Sequence, residues 1–106
     1  MKSTSSGQIK LNQLKQYSLM LFYRVENMES QATRIAINEA IQQFDLHKKV
    51  IIEEVEYDRE NELCKRYNIY GIPTLLTFVN RNLVEKFYGQ IQKTDIEKII
   101  RDLIHD

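Results

Sequence analysis

The sequence predicts one α/β domain. Three observations carry that reading. Short apolar, β-branched runs alternate with segments whose apolar residues recur every three to four positions, so strand and helix signals alternate along the chain. Leu19-Met20-Leu21-Phe22-Tyr23 is apolar throughout, as a central strand covered on both faces should be. The only proline, Pro73, lies between a helix-like segment and a strand-like one, where a strand can begin. A length of 106 residues suits one domain with one core. Fifteen basic and fifteen acidic residues balance, so no net field draws the chain to nucleic acid or anionic lipid, and neither is expected as a partner. The one cysteine excludes an intrachain disulfide and a cysteine-based metal cluster. No cofactor is implied.

Met1 to Gly7 is small and polar, so residues 1–7 are expected to be disordered and residues 8–106 to form the domain. The start lacks the apolar stretch of a secretory signal, and no run approaches membrane-spanning length. The expected location is the cytoplasm. Gln8 to Leu11 reads as a short strand, with Asn12 capping a helix that carries Leu14 and Tyr17; a single helix from Gln8 to Tyr17 is the alternative. Ser18 to Val25 is a strand. Met28 to Phe44 is a helix with Ala32, Ile35, Ala36, Ala40, Ile41 and Phe44 as its apolar stripe, Asn27 as its cap and Glu29 near its positive end.

Val50 to Tyr57 is a β-branched strand interrupted by Glu53, Glu54 and Glu56. Glu54 reads either as a functional acid near the end of the sheet or as part of a solvated strand end. Arg59 to Tyr67 reads as a helix with Leu63, Cys64 and Tyr67 on one face, which makes Cys64 a buried structural thiol; Lys65 and Arg66 beside it would favour a reactive one. Thr74 to Asn80 and Leu83 to Tyr88 form a hairpin around Asn80-Arg81-Asn82, because asparagine tolerates left-handed backbone. Gly89 marks an irregularity after it. Thr94-Asp95-Ile96-Glu97 is a capping box, and the last helix runs to about Ile104 with Ile96, Ile99, Ile100 and Leu103 inward.

Gly71-Ile72-Pro73-Thr74, followed by apolar residues and a hairpin, resembles the cis-proline loop of the thioredoxin family. Phe22-Tyr23 is similar to the Phe-Trp pair that ends a strand in that family, and Tyr57-Asp58 closes a later strand where the family has an aspartate. Tyr67 and Gly89 flank the proline loop and hairpin at the family's spacing, and the match covers about residues 18–104. The resemblance implies a thioredoxin-like fold: a central mixed sheet of four or five strands with helices on both faces. It also implies a right-handed crossover between Ser18 and Tyr57, a cis bond at Pro73, and a hairpin that brings Pro73 beside the Asn27 loop.

The departures bear on function. The family's Trp-Cys-Gly-Pro-Cys falls on Glu26-Asn27-Met28-Glu29-Ser30, so the dithiol is absent. Leu21 stands where the family has a buried acid, and Glu54 where it has the lysine paired with that acid. The family binds extended peptides with the backbone of the residue before the proline, here Ile72. The first functional reading is therefore a redox-inactive binding or adaptor module, with a protein or extended peptide as partner. Its contact residues would be Glu26, Asn27, Met28, Glu29, Ser30, Ile72, Pro73, Gly89 and Gln90. It has no catalytic residue and no metal ligand. The helix-start residues among these read equally as a plain helix cap. A second reading is a monothiol enzyme using Cys64. A third is an assembly component acting as a homodimer, with the groove a relic.

Overall fold

The computed structural model describes residues 15–44 and 50–105. The expected disordered start and the strand or helix expected before residue 15 lie outside the described residues. The elements are β1 (Tyr17–Tyr23), α1 (Met28–Phe44), β2 (Val50–Glu56), α2 (Asn61–Arg66), β3 (Thr74–Val79), β4 (Asn82–Tyr88) and α3 (Lys93–His105). Tyr17 belongs to β1, where it pairs with Val50 and Val79, rather than to a preceding helix. The described strands form one mixed sheet in the order β2-β1-β3-β4. β1 runs parallel to β2 and antiparallel to β3, and β3 and β4 form the hairpin. Among the described residues, no helix is long and apolar enough to cross a membrane.

The unbroken apolar run of β1 feeds two cores, because successive side chains of a strand point to opposite faces. Leu19, Leu21 and Tyr23 pack under α1 and α3, against Ile37, Ala40, Ile96 and Ile100. Met20 and Phe22 face the other way, against Val55, Cys64, Ile69, Leu76 and Phe78. Tyr67 sets its ring edge-on to Phe78 at 5.6 Å. β2 is an outer strand among the described residues, with Val50 and Val55 buried and Ile51, Glu53 and Glu54 exposed. That position accounts for the glutamates that interrupt it.

The stripe of α1 differs from the expected one. Ile35 is 58% exposed, whereas Thr33 and Ile37 are buried with Ala36, Ala40 and Ile41. Those positions follow the i, i+3, i+4, i+7, i+8 pattern counted from Thr33. The side chain of Phe44 lies outside the described residues.

The capping box expected at Thr94 does not form. The Ile96 amide donates to the Gln92 carbonyl, so the helix starts at Lys93 and Thr94 lies inside its first turn. α2 is shorter than expected, and its end is closed by a Schellman arrangement. Asn68, at φ 55°, donates to the Lys65 carbonyl, and Ile69 donates to the Cys64 carbonyl. Lys86 Nζ adds a 2.6 Å bond to the Tyr67 carbonyl, so β4 also holds the end of α2.

The hairpin closes through Asn80 and Arg81 alone, at φ 50° and 71°, with Val79 paired to Asn82. Positive φ at both central residues is the pattern that suits a twisted two-residue hairpin, and it favours glycine at the second. Arg81 therefore sits in a conformation that its Cβ disfavours. Arg81→Gly should stabilise the domain by about 0.5–1 kcal/mol, since the relieved strain exceeds the added chain entropy. Urea unfolding checks this; unchanged or lower stability would show that the arginine is not strained there.

Candidate functional site

Strand register brings four chain segments to one end of the sheet. Tyr23 at the end of β1 lies beside Glu56 of β2, and the Tyr57 amide donates to the Tyr23 carbonyl at 2.9 Å. Phe22 faces Thr74, so β3 begins where β1 ends. Thr74 faces Tyr88, and the Gly89 amide donates to the Pro73 carbonyl at 2.8 Å. Arg24 to Asn27, Tyr57-Asp58, Ile72-Pro73 and Gly89-Gln90 thus share one edge. It lies outside the carboxyl ends of the parallel pair, the usual place for a ligand in an open α/β sheet.

The helix start is built by short polar side chains. Asn27 Oδ1 accepts the Ser30 amide at 2.7 Å, so Asn27 is the cap of α1. Ser30 is fully buried, and its Oγ accepts the Arg24 amide at 3.2 Å. Gln31 Nε2 donates to the Val25 carbonyl. Ser30 therefore fixes the loop from inside and offers no contact surface. Glu26, Met28 and Glu29 are exposed, Met28 at 85%.

Pro73 is likewise buried, and the Ile72–Pro73 peptide is cis. Ile72 is half-buried against the second core. Its backbone is the unusual part. The β1–β3 register would place Arg24 opposite Ile72, but Arg24 turns its N–H to Ser30 Oγ and its C=O to the Asn27 amide. Among the described residues, the Ile72 N–H and C=O are left without a backbone partner.

Gly89 has φ 88°, a conformation suited to glycine, and turns the chain out of β4. Gln90 is exposed. The next residue is anchored: the buried Ile91 amide donates to Thr33 Oγ1 at 3.2 Å, and Thr33 donates to the Glu29 carbonyl at 2.9 Å. One α1 hydroxyl thus ties the Gly89-Gln90 segment to the helix that starts at the Asn27 cap. Sequence reasoning missed Thr33. It also missed Val25, Tyr70 and Tyr88, which are 56%, 81% and 58% exposed at this same end of the sheet. Aromatic side chains read as core in a sequence, so only their exposure reveals them.

Several ionisable groups of this end of the sheet are engaged. Arg24 and Asp58 form a bidentate pair with both contacts at 2.9 Å. The Arg24 guanidinium, first by hydrogen bonding, holds the Asp58 carboxyl below its ordinary value. Arg34 from α1 grips Glu54 at 2.9 and 3.2 Å and lies 4.5 Å from the centre of the Tyr23 ring. Glu54 is therefore an ion-pair partner, not a free acid beneath the Asn27 loop. Cys64 is 8% exposed; its Sγ contacts the Tyr57 carbonyl at 3.7 Å, and burial pushes its pKa up, helped by Glu60 and Asp58. A raised thiol pKa is the opposite of what nucleophilic or redox chemistry needs. Among the described residues, no group of histidine, cysteine and carboxylate side chains is placed to hold a metal.

Comparison with known proteins agrees with this architecture. Mitochondrial thioredoxin 3 of Saccharomyces cerevisiae superposes with a TM-score of 0.72 at 19% identity, covering 92% of this chain and 89% of that one. The germline-specific thioredoxin Deadhead of Drosophila melanogaster superposes with a TM-score of 0.74 at 14% identity, over 97% and 94%. At such identities the likeness speaks for the fold alone. Bovine mitochondrial thioredoxin is 31% identical over 58 residues, 55% of this chain. That match spans 35% of the bovine protein, about a third of its length. The thioredoxin family model matches residues 10–102, nearly the whole sequence, and with that coverage the chain belongs to the thioredoxin family.

Proposed function

We propose that this chain binds an extended protein segment across the Asn27 and Pro73 loops and does not turn over disulfides. The observation that carries the reading is the unpaired backbone of Ile72, at an end of the sheet that also exposes Val25, Met28, Tyr70 and Tyr88. An incoming strand would pair with that N–H and C=O and lay alternate side chains against the apolar ones. Met28 suits such a role because an unbranched thioether adapts to varied partners. The redox half rests on counting and on packing. One cysteine cannot cycle between a dithiol and an intramolecular disulfide, and that cysteine is buried with a raised pKa. A cytoplasmic setting belongs to the same proposal.

One set of measurements tests both halves. Insulin reduction with dithiothreitol should match the no-protein control, and Cys64 should react with thiol reagents only on unfolding. A pull-down from the native host should recover a partner with the wild type and lose it with Met28→Asp/Tyr70→Asp. Cysteine-dependent turnover or rapid native labelling would overturn the redox half. Equal recovery by both proteins would overturn the binding half.

A further inference from the structure

Tyr70 and the Ile72 backbone lie on the loop between α2 and β3, and Tyr88 ends β4, paired with Thr74. The loop has little of its own to hold it. The Ile69 amide donates to the Cys64 carbonyl at 2.8 Å, and the Ile69 side chain is buried in the second core. Thr74 Oγ1 donates to the Gly71 carbonyl at 2.8 Å. Among the described residues, Tyr70, Gly71 and Ile72 make no backbone–backbone hydrogen bond.

One cation reaches the loop from β4. Lys86 is half-buried on the α2 face of the sheet, opposite Leu76 in the register. Its Nζ donates to the Tyr67 carbonyl at 2.6 Å and to the Asn68 carbonyl at 3.4 Å. It also lies 5.7 Å from the centre of the Tyr88 ring, two residues on and on the same face. Among the described residues, Lys86 has no carboxylate partner. Its charge is therefore spent on two carbonyls, and such charge-assisted bonds are the stronger kind. Asn68, at φ 55°, turns the chain at the same point, so the pinned carbonyls fix the direction in which the loop leaves α2.

We propose that Lys86 is the positioning residue of the binding loop: its ammonium sets where the Tyr70–Ile72 segment stands relative to Tyr88. The inference rests on the binding role proposed above and assigns the geometry of that site to a side chain acting through the loop. A strand that pairs with Ile72 and covers both tyrosines needs a fixed spacing between the loop and β4. Without the tether the loop would have to be ordered on binding, which weakens the complex.

Lys86→Met and Lys86→Arg test it, by amide exchange and by binding of a short, end-capped fluorescent peptide of alternating valine and serine. Lys86→Met keeps the apolar stem and removes the cation. Exchange at the Asn68 and Ile69 amides should speed up roughly tenfold or more, the scale of one lost charge-assisted hydrogen bond, while β1 amides keep their wild-type rates. The peptide should bind roughly tenfold more weakly, the cost of ordering several loop residues. Lys86→Arg keeps a cation and its donors, and should stay close to the wild type in both measurements. Unchanged exchange at Asn68 and Ile69 in Lys86→Met would overturn the inference. So would equal acceleration in β1, which would make Lys86 a contributor to global stability only. Faster loop exchange with unchanged peptide binding would overturn it too, and leave the binding role standing. Failure of the wild type to bind the peptide would overturn the binding role and the inference with it.

Discussion

Leu21→Asp should cost the domain about 3–5 kcal/mol at neutral pH, the usual penalty for a buried charge without a partner. Leu21 is 1% exposed and packs in the cluster under α1 and α3. The thioredoxins that this chain resembles carry an acid at this position, matched by a lysine on the adjacent strand. Here the residue paired with Leu21 is Glu54, whose carboxylate is held by Arg34 on the α1 side. A new carboxylate would meet apolar walls and a like charge. Burial raises its folded-state pKa above the unfolded value of about 3.9, so the folded state holds the proton more tightly. The destabilisation should therefore be smallest at low pH and grow as pH rises through that raised pKa. Adding Glu54→Lys should recover part of the loss by replacing repulsion with attraction. Urea unfolding at several pH values checks all three statements. A Leu21→Asp protein as stable as the wild type at neutral pH would mean that side chain 21 reaches water.

The sheet and its order of elements were legible because their signals are local and strong. Five apolar residues in β1 leave no face for solvent, and in β3 Leu75, Leu76 and Phe78 give a similar signal around the buried Thr77. The α1 stripe was misread for a physical reason. Thr33 is polar by composition yet buried, because its hydroxyl is satisfied on both sides, so an apolar pattern passes over it and picks up Ile35 instead. The start of α3 was misplaced because Thr94 and Glu97 match a capping pattern that Lys93 displaces by one turn position, and Glu97 pairs with Lys93 at 3.8 Å.

The site followed the same division. The loops could be placed from motif spacing, and the structure brings them to one end of the sheet. Which atoms are left exposed or unpaired there could not, since that depends on tertiary pairing. Asn27 Oδ1 is spent on the α1 cap and Ser30 Oγ on the Arg24 amide, Pro73 is internal, and the exposed side chains among the expected contacts are Glu26, Met28, Glu29 and Gln90, beside an Ile72 backbone with no backbone partner among the described residues. Nothing in a single sequence signals that a main-chain N–H lacks a partner.

Thr33→Val should show how the rear of this site is held. The substitution keeps the shape of the side chain and removes the hydroxyl that accepts the Ile91 amide. Ile91 is 8% exposed, so its N–H would be left unpaired in an apolar setting, at a cost of about 1–3 kcal/mol. The Glu29 carbonyl would lose only an added bond, because the helix still serves it. The larger consequence is local. Without the tether, the Gly89-Gln90 segment is fixed at one side only, by the Gly89 amide on Pro73. Amide exchange should accelerate at Gln90 and Ile91 well before it does in β1. Thr33→Ser retains the hydroxyl and should keep the exchange pattern of the wild type, with only the smaller loss of a buried methyl. Unchanged stability and exchange in Thr33→Val would mean that another group takes up the Ile91 amide, and that the Gly89-Gln90 segment does not depend on α1 for its position.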